Sequence, residues 1–331
     1  MNQPTNLNPQ QILQMVSAFR PSCVIGAAAE LDVFTRLNRA ATTAAEMAKA
    51  LNCDERGMTT LLDALASLQV LNKVDGYYHL ADGAKNLAAD MPNTILPMVL
   101  HNMTCLRHWA DLASVVQSGK PASPSPSIRG AEADFSAFVA AMHVGSGPVA
   151  DRVVRSIPNL QFTHVLDVGG ASGTWTLAFL RAYPHCTATI FDRPQAILQA
   201  KERSSREGLQ NRIQFASGDF YRDELPSGAD FVWVSAIIHQ HNRQKNRELF
   251  AKAFRALKAG GKIGIRDVVM DETRTSSTMG ALFAVNMLVA TETGGTFTFR
   301  EIAEDLAVVG FKSSELAVPA SDMSAVIIAV K

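Results

Sequence analysis

Val165–Thr174, Val-Leu-Asp-Val-Gly-Gly-Ala-Ser-Gly-Thr, is the stretch on which the fold turns. A short apolar run ends in a glycine-rich turn, and a helical pattern (Trp175, Leu177, Ala178, Leu180) starts directly after it. Strand, tight turn and helix in that order form the opening unit of an α/β nucleotide-binding sheet. Gly169, Gly170 and Gly173 let the backbone turn sharply and approach a ligand with no Cβ in the way. The new helix points its free N–H groups and positive dipole end at whatever sits there. The three-glycine dinucleotide fingerprint is not met, because Val168 holds its first position. Instead Asp167 stands two residues before the first glycine. A carboxylate there repels a pyrophosphate and suits a ligand carrying an amino group. The turn by itself is also compatible with a dinucleotide or with a purely structural role.

Downstream, strand and helix signals alternate. Thr187–Phe191 is a strand followed by Asp192, and a helix starts at Pro194. Arg212–Ala216 leads to Gly218-Asp219-Phe220, and Asp230–Ile238 to His239-Gln240-His241. A helix over about 243–257, the Ala259-Gly260-Gly261 turn, a strand over Lys262–Met270 and helices over 279–291 and 299–309 follow. Ser313–Val318 and Ala325–Val330 read as closing strands. This alternation implies a doubly wound, largely parallel sheet with ligands at the carboxyl ends of its strands. Asp192 lies about 20 residues beyond the glycines, where an acid accepts hydrogen bonds from ribose hydroxyls. Asp219 is placed for an adenine amino group, with Phe220 against the ring. Three acids at successive strand ends favour an adenosine ligand.

The N-terminal part reads differently. Gln11–Leu37 carries apolar residues at helical spacing, with Pro21 as the expected division. Thr42 or Thr43 with Glu46 makes a capping box, and Asp54 caps a helix whose core face is Met58, Leu61, Leu62, Leu65 and Leu68. Val70–Leu80 reads as a hairpin turning at Asp75-Gly76. Helix, helix, two-stranded wing is a winged-helix layout, which often binds DNA. Here the would-be recognition helix offers only Arg56 as a base beside Asp54, Glu55 and Asp63, too few cations for phosphate contacts. A dimerising role is expected instead, through Gln11–Leu37. More helix covers 92–117, a loop 119–127 and a helix about 132–157, the last carrying Met142, His143 and a Gly145-Ser146-Gly147 break. The expected divisions are residues 1–119, a connecting segment 120–160, and 161–331.

Bulk properties narrow the class. The 331 residues are 47% hydrophobic, and 31 Lys+Arg balance 31 Asp+Glu, so no overall field favours nucleic acid or an anionic membrane. Four scattered cysteines, with no C-x-x-C pair, argue against a zinc site or disulfide framework and for a reducing compartment. With a polar N-terminus and no apolar run near the ~20 residues of a membrane helix, a cytoplasmic protein is expected.

Asp167-Val-Gly-Gly-Ala-Ser-Gly, Asp192-Arg-Pro, Gly218-Asp219-Phe220, a histidine ending the fourth strand and Gly260-Gly261-Lys262 occur in the order of one family. The chain resembles the caffeic acid/hydroxyindole-type O-methyltransferases, which use S-adenosylmethionine (SAM), and its N-terminal part is similar to their winged-helix dimerisation domain. The resemblance implies a class I methyltransferase fold and a homodimer. It implies that Asp167, Gly169, Gly170 and Gly173 meet the amino-acid end of SAM, Asp192 its ribose, and Asp219 with Phe220 its adenine. It places His239 on the catalytic base and Asp267 on an acid that orients it. A family lysine near the cofactor is Ser235 here. The family's His-Asp-Trp is His239-Gln240-His241, and its second supporting acid is absent near Phe297 unless Glu292 replaces it.

The implied reaction is methylation of a phenol or enol oxygen of an aromatic small molecule. SAM supplies the electrophilic methyl, and a neutral histidine assists a phenol whose pKa is near ~10. Met142, His143, Asn286 and Met287 are the expected pocket walls. No metal is expected, because two histidines on an extended His-Gln-His segment share a face without completing a ligand set. The altered motif leaves carbon methylation or non-methyl SAM chemistry open, and a winged-helix regulator sensing an adenosyl ligand is the non-enzyme alternative.

Overall fold

Side-chain caps start three of the N-terminal helices, and their geometry comes from a computed structural model that describes residues 7–331. Contacts divide the chain into two units: the residues up to Leu106 with Ser125–Val144, and Arg107–Pro124 with Gly145–Lys331.

In the first unit, Asn8 and Gln11 form a capping box on α1 (Pro9–Ser17), with Pro9 at the first helical position. The next break falls at Ala18, not at Pro21. Pro21 sits in the first turn of α2 (Phe19–Glu30), where a missing N–H costs nothing. A left-handed Asp32 (φ 61°) separates α3 (Val33–Arg39). Thr43 and Glu46 cap α4 (Ala44–Leu51), and Asp54 accepts from the Gly57 N–H to start α5 (Glu55–Ser67). β1 (Leu71–Val74) and β2 (Tyr77–Leu80) form the hairpin, with both turn residues, Asp75 and Gly76, at positive φ as a type I′ turn requires. α6 (Leu96–Ala110) follows a six-residue 3₁₀ helix over Asp82–Leu87. Phe34, Leu62, Leu65 and Tyr78 anchor the core of this unit.

Ile12, Leu13, Met15, Val16 and Phe19 stand exposed on α1 and the start of α2. Within Pro9–Glu30 an 18-residue window reaches a mean hydropathy of 1.3, enough to cross a membrane by length and composition alone. The stretch is divided at Ala18 and interrupted by Gln14, Arg20 and Pro21, so it is no continuous apolar run. α7 (Leu112–Ser118) comes next, then α8 (Ala131–Ser156), which begins in the first unit and ends in the second. α8 runs unbroken through Gly145-Ser146-Gly147 and carries Pro148 inside it, where the sequence suggested a break. The ring forfeits one main-chain hydrogen bond without ending the helix.

The second unit holds a seven-stranded sheet in the order β10-β11-β7-β6-β3-β4-β5. Its elements are β3 (His164–Val168), α9 (Thr174–Ala182), β4 (Thr187–Asp192), α10 (Pro194–Arg206), β5 (Ile213–Ser217), β6 (Ala229–Ser235), α11 (Arg243–Ala256) and β7 (Leu257–Asp267). They continue with β8 (Val269–Met270), α12 (Thr278–Ala290), β9 (Phe297–Thr298), α13 (Phe299–Val309), β10 (Lys312–Val318) and β11 (Ala325–Val330). β5, β4, β3, β6 and β7 are parallel, and β11 slots antiparallel between β7 and β10. The Ala259-Gly260-Gly261 turn lies inside β7, at a register shift against β6, so that strand starts earlier than expected. α8, α9 and α10 cover one face of the sheet and α11 and α13 the other. The strand order reverses between β3 and β6, which opens the binding crevice at the carboxyl ends of those two strands.

Candidate active site

The glycine turn leaves β3 at that switch point. Asp167 is 1% exposed, and its Oδ2 accepts a hydrogen bond from Thr176 Oγ1 at 2.6 Å. Its Oδ1 is buried with no partner. Burial, with a smaller contribution from the Asp192 charge, pushes the Asp167 carboxyl up to about 7. A Cβ on Gly170 would lie 2.9 Å from Asp167 Cγ, so the turn packs directly on the acid. Gly169 (φ +67°) has Ile237 2.6 Å and Phe220 3.4 Å from where its Cβ would stand. Gly173 (φ +80°) caps α9 in a left-handed conformation that suits glycine.

Asp192 ends β4 and clasps the same turn. Its Oδ2 accepts from the Ala171 N–H at 2.8 Å and its Oδ1 from the Arg193 N–H at 2.6 Å. Burial raises its carboxyl and the two backbone donors oppose that rise. Asp219 Oδ1 accepts from the Tyr221 N–H at 2.9 Å. The Phe220 ring meets Tyr221 edge-on at 4.2 Å, and Tyr221 meets His241 at 4.4 Å. These residues fit SAM. The orphaned Asp167 oxygen and the Cβ-free turn suit its amino-acid end, the remaining Asp192 lone pairs its ribose, and Phe220 its adenine.

His239 lies four residues beyond β6, in a 3₁₀ turn over Ile238–Gln240 rather than on an extended strand end. It is 8% exposed, and its Nδ1 is 2.8 and 3.0 Å from the two oxygens of Asp267, the last residue of β7. A carboxylate only accepts, so Nδ1 carries the proton and Nε2 is left with its lone pair. Asp267 Oδ1 also accepts from the Val268 N–H at 2.8 Å, and Phe283 on α12 packs edge-on to the imidazole at 4.8 Å. Two residues invisible to sequence reasoning hold the turn. Asn246 Nδ2 donates to the Ile238 carbonyl at 2.9 Å, and the Gly295 N–H donates to the His239 carbonyl at 2.9 Å.

The turn sends His239 and His241 apart. His241 goes to Tyr221, its Nε2 is buried without a partner, and burial pushes its pKa down. A cavity of about 510 Å³ opens there, lined by Phe220, Tyr221, Gln240, His241, Lys245 and Thr291 among others. Glu292, on the same cavity, is exposed and makes no hydrogen bond to His239. Among the described residues no three His, Cys, Asp or Glu side chains gather to hold a metal.

The Ser235 hydroxyl, at the end of β6, accepts from Arg266 Nη1 at 3.0 Å. Asn286 Oδ1 accepts from Trp109 Nε1 at 2.8 Å, and Met287 beside it on α12 is buried. Met142 and His143 lie half-buried on α8 in the first unit, whereas the contacts of His239 described above all come from the second. Sequence reasoning missed Arg266, Thr176, Tyr221, Asn246 and Gly294. Only Thr176, one helical turn into α9, carries a local signal.

A family profile for an O-methyltransferase domain matches residues 109–312, and one for an O-methyltransferase dimerisation domain matches residues 13–90. The chain is 29% identical over 310 residues to the tetracenomycin polyketide synthesis 8-O-methyl transferase of Streptomyces glaucescens, covering 92% of this chain and 91% of that protein. It is 28% identical to the 3-hydroxy-5-methyl-1-naphthoate 3-O-methyltransferase of Streptomyces sahachiroi, covering 87% and 85%. The crystal structure of human N-acetylserotonin methyltransferase in complex with SAM superposes with a TM-score of 0.82 at 25% identity, covering 100% of this chain and 99% of that one.

Proposed function

This chain belongs to the O-methyltransferase family and uses SAM, and from that premise we propose that His239 deprotonates a phenol or enol of an aromatic small molecule as its oxygen is methylated. The relatives from Streptomyces, named for a polyketide and a naphthoate, support a fused-ring aromatic acceptor. The observation that carries the reading is the buried His239–Asp267 pair at 2.8 Å, which leaves Nε2 as the proton acceptor. SAM supplies a sulfonium-activated methyl and a neutral thioether leaving group. The chain does the rest. Asp267 fixes the tautomer and stabilises the imidazolium once His239 holds the proton. Asn246 and the Gly294-Gly295 loop hold the 3₁₀ turn so that the imidazole keeps its aim. Asn286 and Met287 are the α12 side chains we assign to the acceptor's ring.

The exposed apolar side chains of α1 and the start of α2 support a homodimer in which a second copy covers them. Acid-rich α5 and the balanced net charge support a small-molecule enzyme of the cytoplasm over a nucleic-acid or membrane partner. His239→Ala is the test. It should leave S-adenosylhomocysteine (SAH) binding intact and lower kcat by roughly 10²–10⁴-fold, the loss shrinking as pH nears the acceptor's own pKa. Full turnover by the variant at neutral pH would remove His239 as the base.

A further inference from the structure

Arg266 is 4% exposed on β7, beside Asp267. Its Nη1 donates to Ser235 Oγ, its guanidinium lies 4.4 Å over the Trp175 ring, and its Nε is buried without a partner. No carboxylate among the described residues forms an ion pair with it. Asp267 is taken by His239 and the Val268 N–H, and Asp322 acts only at a distance. Arg243 and Arg247, both less buried, by contrast share the Asp305 carboxylate. A buried guanidinium with only a hydroxyl and a ring for company is costly unless something ionic completes it.

Its place in the sheet says what completes it. Asp167 on β3 is opposite Trp233 on β6, and Ser235, two residues on, is opposite Arg266 on β7. Side chains two apart share a face, and directly paired residues point the same way, so Asp167 and Arg266 project from one face at the strand ends. Strands lie about 4.8 Å apart, which puts β3 and β7 about 10 Å apart, most of it within an extended arginine's reach. Ser235 ends β6, the strand paired with β3, and Trp175 lies in the first turn of α9, the helix that follows the glycine turn. An acid with an unpartnered oxygen and a cation with an unpartnered nitrogen thus project from one face of the sheet, two strands apart.

We propose that Asp167 and Arg266 form a zwitterion clamp, Arg266 binding the carboxylate of the SAM amino-acid end while Asp167 binds its ammonium. The proposal rests on SAM as the cofactor. Ser235 holds one arm of the guanidinium and the Trp175 face fixes its plane, leaving Nε and the other arm to meet a carboxylate. Burial lowers the Arg266 pKa to about 10, so the group stays cationic at neutral pH.

Calorimetry with SAH and its decarboxylated analogue, in which the amine remains and the carboxylate is gone, decides it. Wild-type protein should bind SAH roughly 10- to 100-fold tighter than the analogue, as a charge-assisted hydrogen bond implies. Arg266→Met should erase that preference by weakening SAH alone, and Arg266→Lys should restore part of it. Equal weakening of both ligands, or of neither, would assign Arg266 a purely structural role and overturn the clamp. If Arg266→Met does not fold, the wild-type comparison decides alone: equal affinity for the two ligands rejects the clamp. Failure of the wild-type protein to bind either one rejects SAM itself, a separate result.

Discussion

Gly294→Ala isolates the contact between the loop after α12 and the backbone that carries His239. A Cβ at this position would stand 2.4 Å from Thr291 Oγ1, 2.5 Å from the His239 carbonyl oxygen and 3.1 Å from the Gln240 carbonyl carbon. Two of these neighbours are main chain, so the clash cannot be relieved by a rotamer change. The loop must lift, and with it go the Gly295 N–H bond to the His239 carbonyl and the Gly294 N–H bond to Thr291 Oγ1. Two such bonds at about 1 kcal/mol each, plus overpacking strain of about 1 kcal/mol, give a destabilisation of about 3 kcal/mol. Displacing the imidazole by as little as ~1 Å is enough to lower kcat by roughly 10²-fold. Gly295→Ala is the paired control, because nothing lies within 4 Å of its Cβ position and its φ is not positive. It should stay within about 0.5 kcal/mol of the parent. Denaturant unfolding and steady-state kinetics on both variants are the assay. Parental stability and turnover for Gly294→Ala, or equal damage in the two variants, would refute a loop seated on His239.

Two further expectations follow from other parts of the chain. The Asp167 carboxyl is raised to about 7 in the folded protein, so the folded state holds that proton more tightly than the unfolded chain. Its cost to stability therefore sets in as pH climbs from about 4 through about 7. Denaturant titrations of the parent and of Asp167→Asn should diverge across that window, with the variant favoured at the alkaline end. SAH affinity of the parent should rise between pH 6 and 8 as the carboxylate forms, and a flat profile would take Asp167 out of the ammonium site. Light scattering at micromolar concentration should return twice the 35.7 kDa chain mass, and charged substitutions at Leu13 and Val16, both exposed on α1, should bring it toward the single-chain value.

Local chemistry explains what was legible beforehand. Thr43 with Glu46, Asp54 with Gly57, and Asp75-Gly76 each act within four residues, so their capping and turning were readable from sequence. Asp192 and Asp219 were readable because parallel topology sends every strand end to the same rim. The Ser235–Arg266 bond spans 31 positions, and Asn246 reaches back to Ile238 only because α11 folds over the turn. Nothing near either residue announces such partners. His239 and His241 were misread as sharing a face because an apolar run gives no sign that β6 stops at Ser235 and the chain coils into a 3₁₀ turn. Gly294 likewise carries no local sign of its role. Its requirement for no side chain comes from a backbone more than fifty positions earlier.

The position of β11 bears on biosynthesis. It is the last strand of the sheet to be made, yet it lies between β7 and β10 rather than at an edge. Until Ala325–Val330 emerges, the side of β7 that faces away from β6 presents unpaired N–H and C=O groups from Lys262 to Asp267. The strand bearing both Arg266 and Asp267 is thus an open edge throughout synthesis of the preceding residues. At roughly 5–20 residues per second, the nascent chain spends several seconds with that edge uncovered. The geometry that both side chains depend on is therefore completed only by the final strand, so quality control by the cell has to act on a chain that already holds every site residue but not yet the sheet that aligns them.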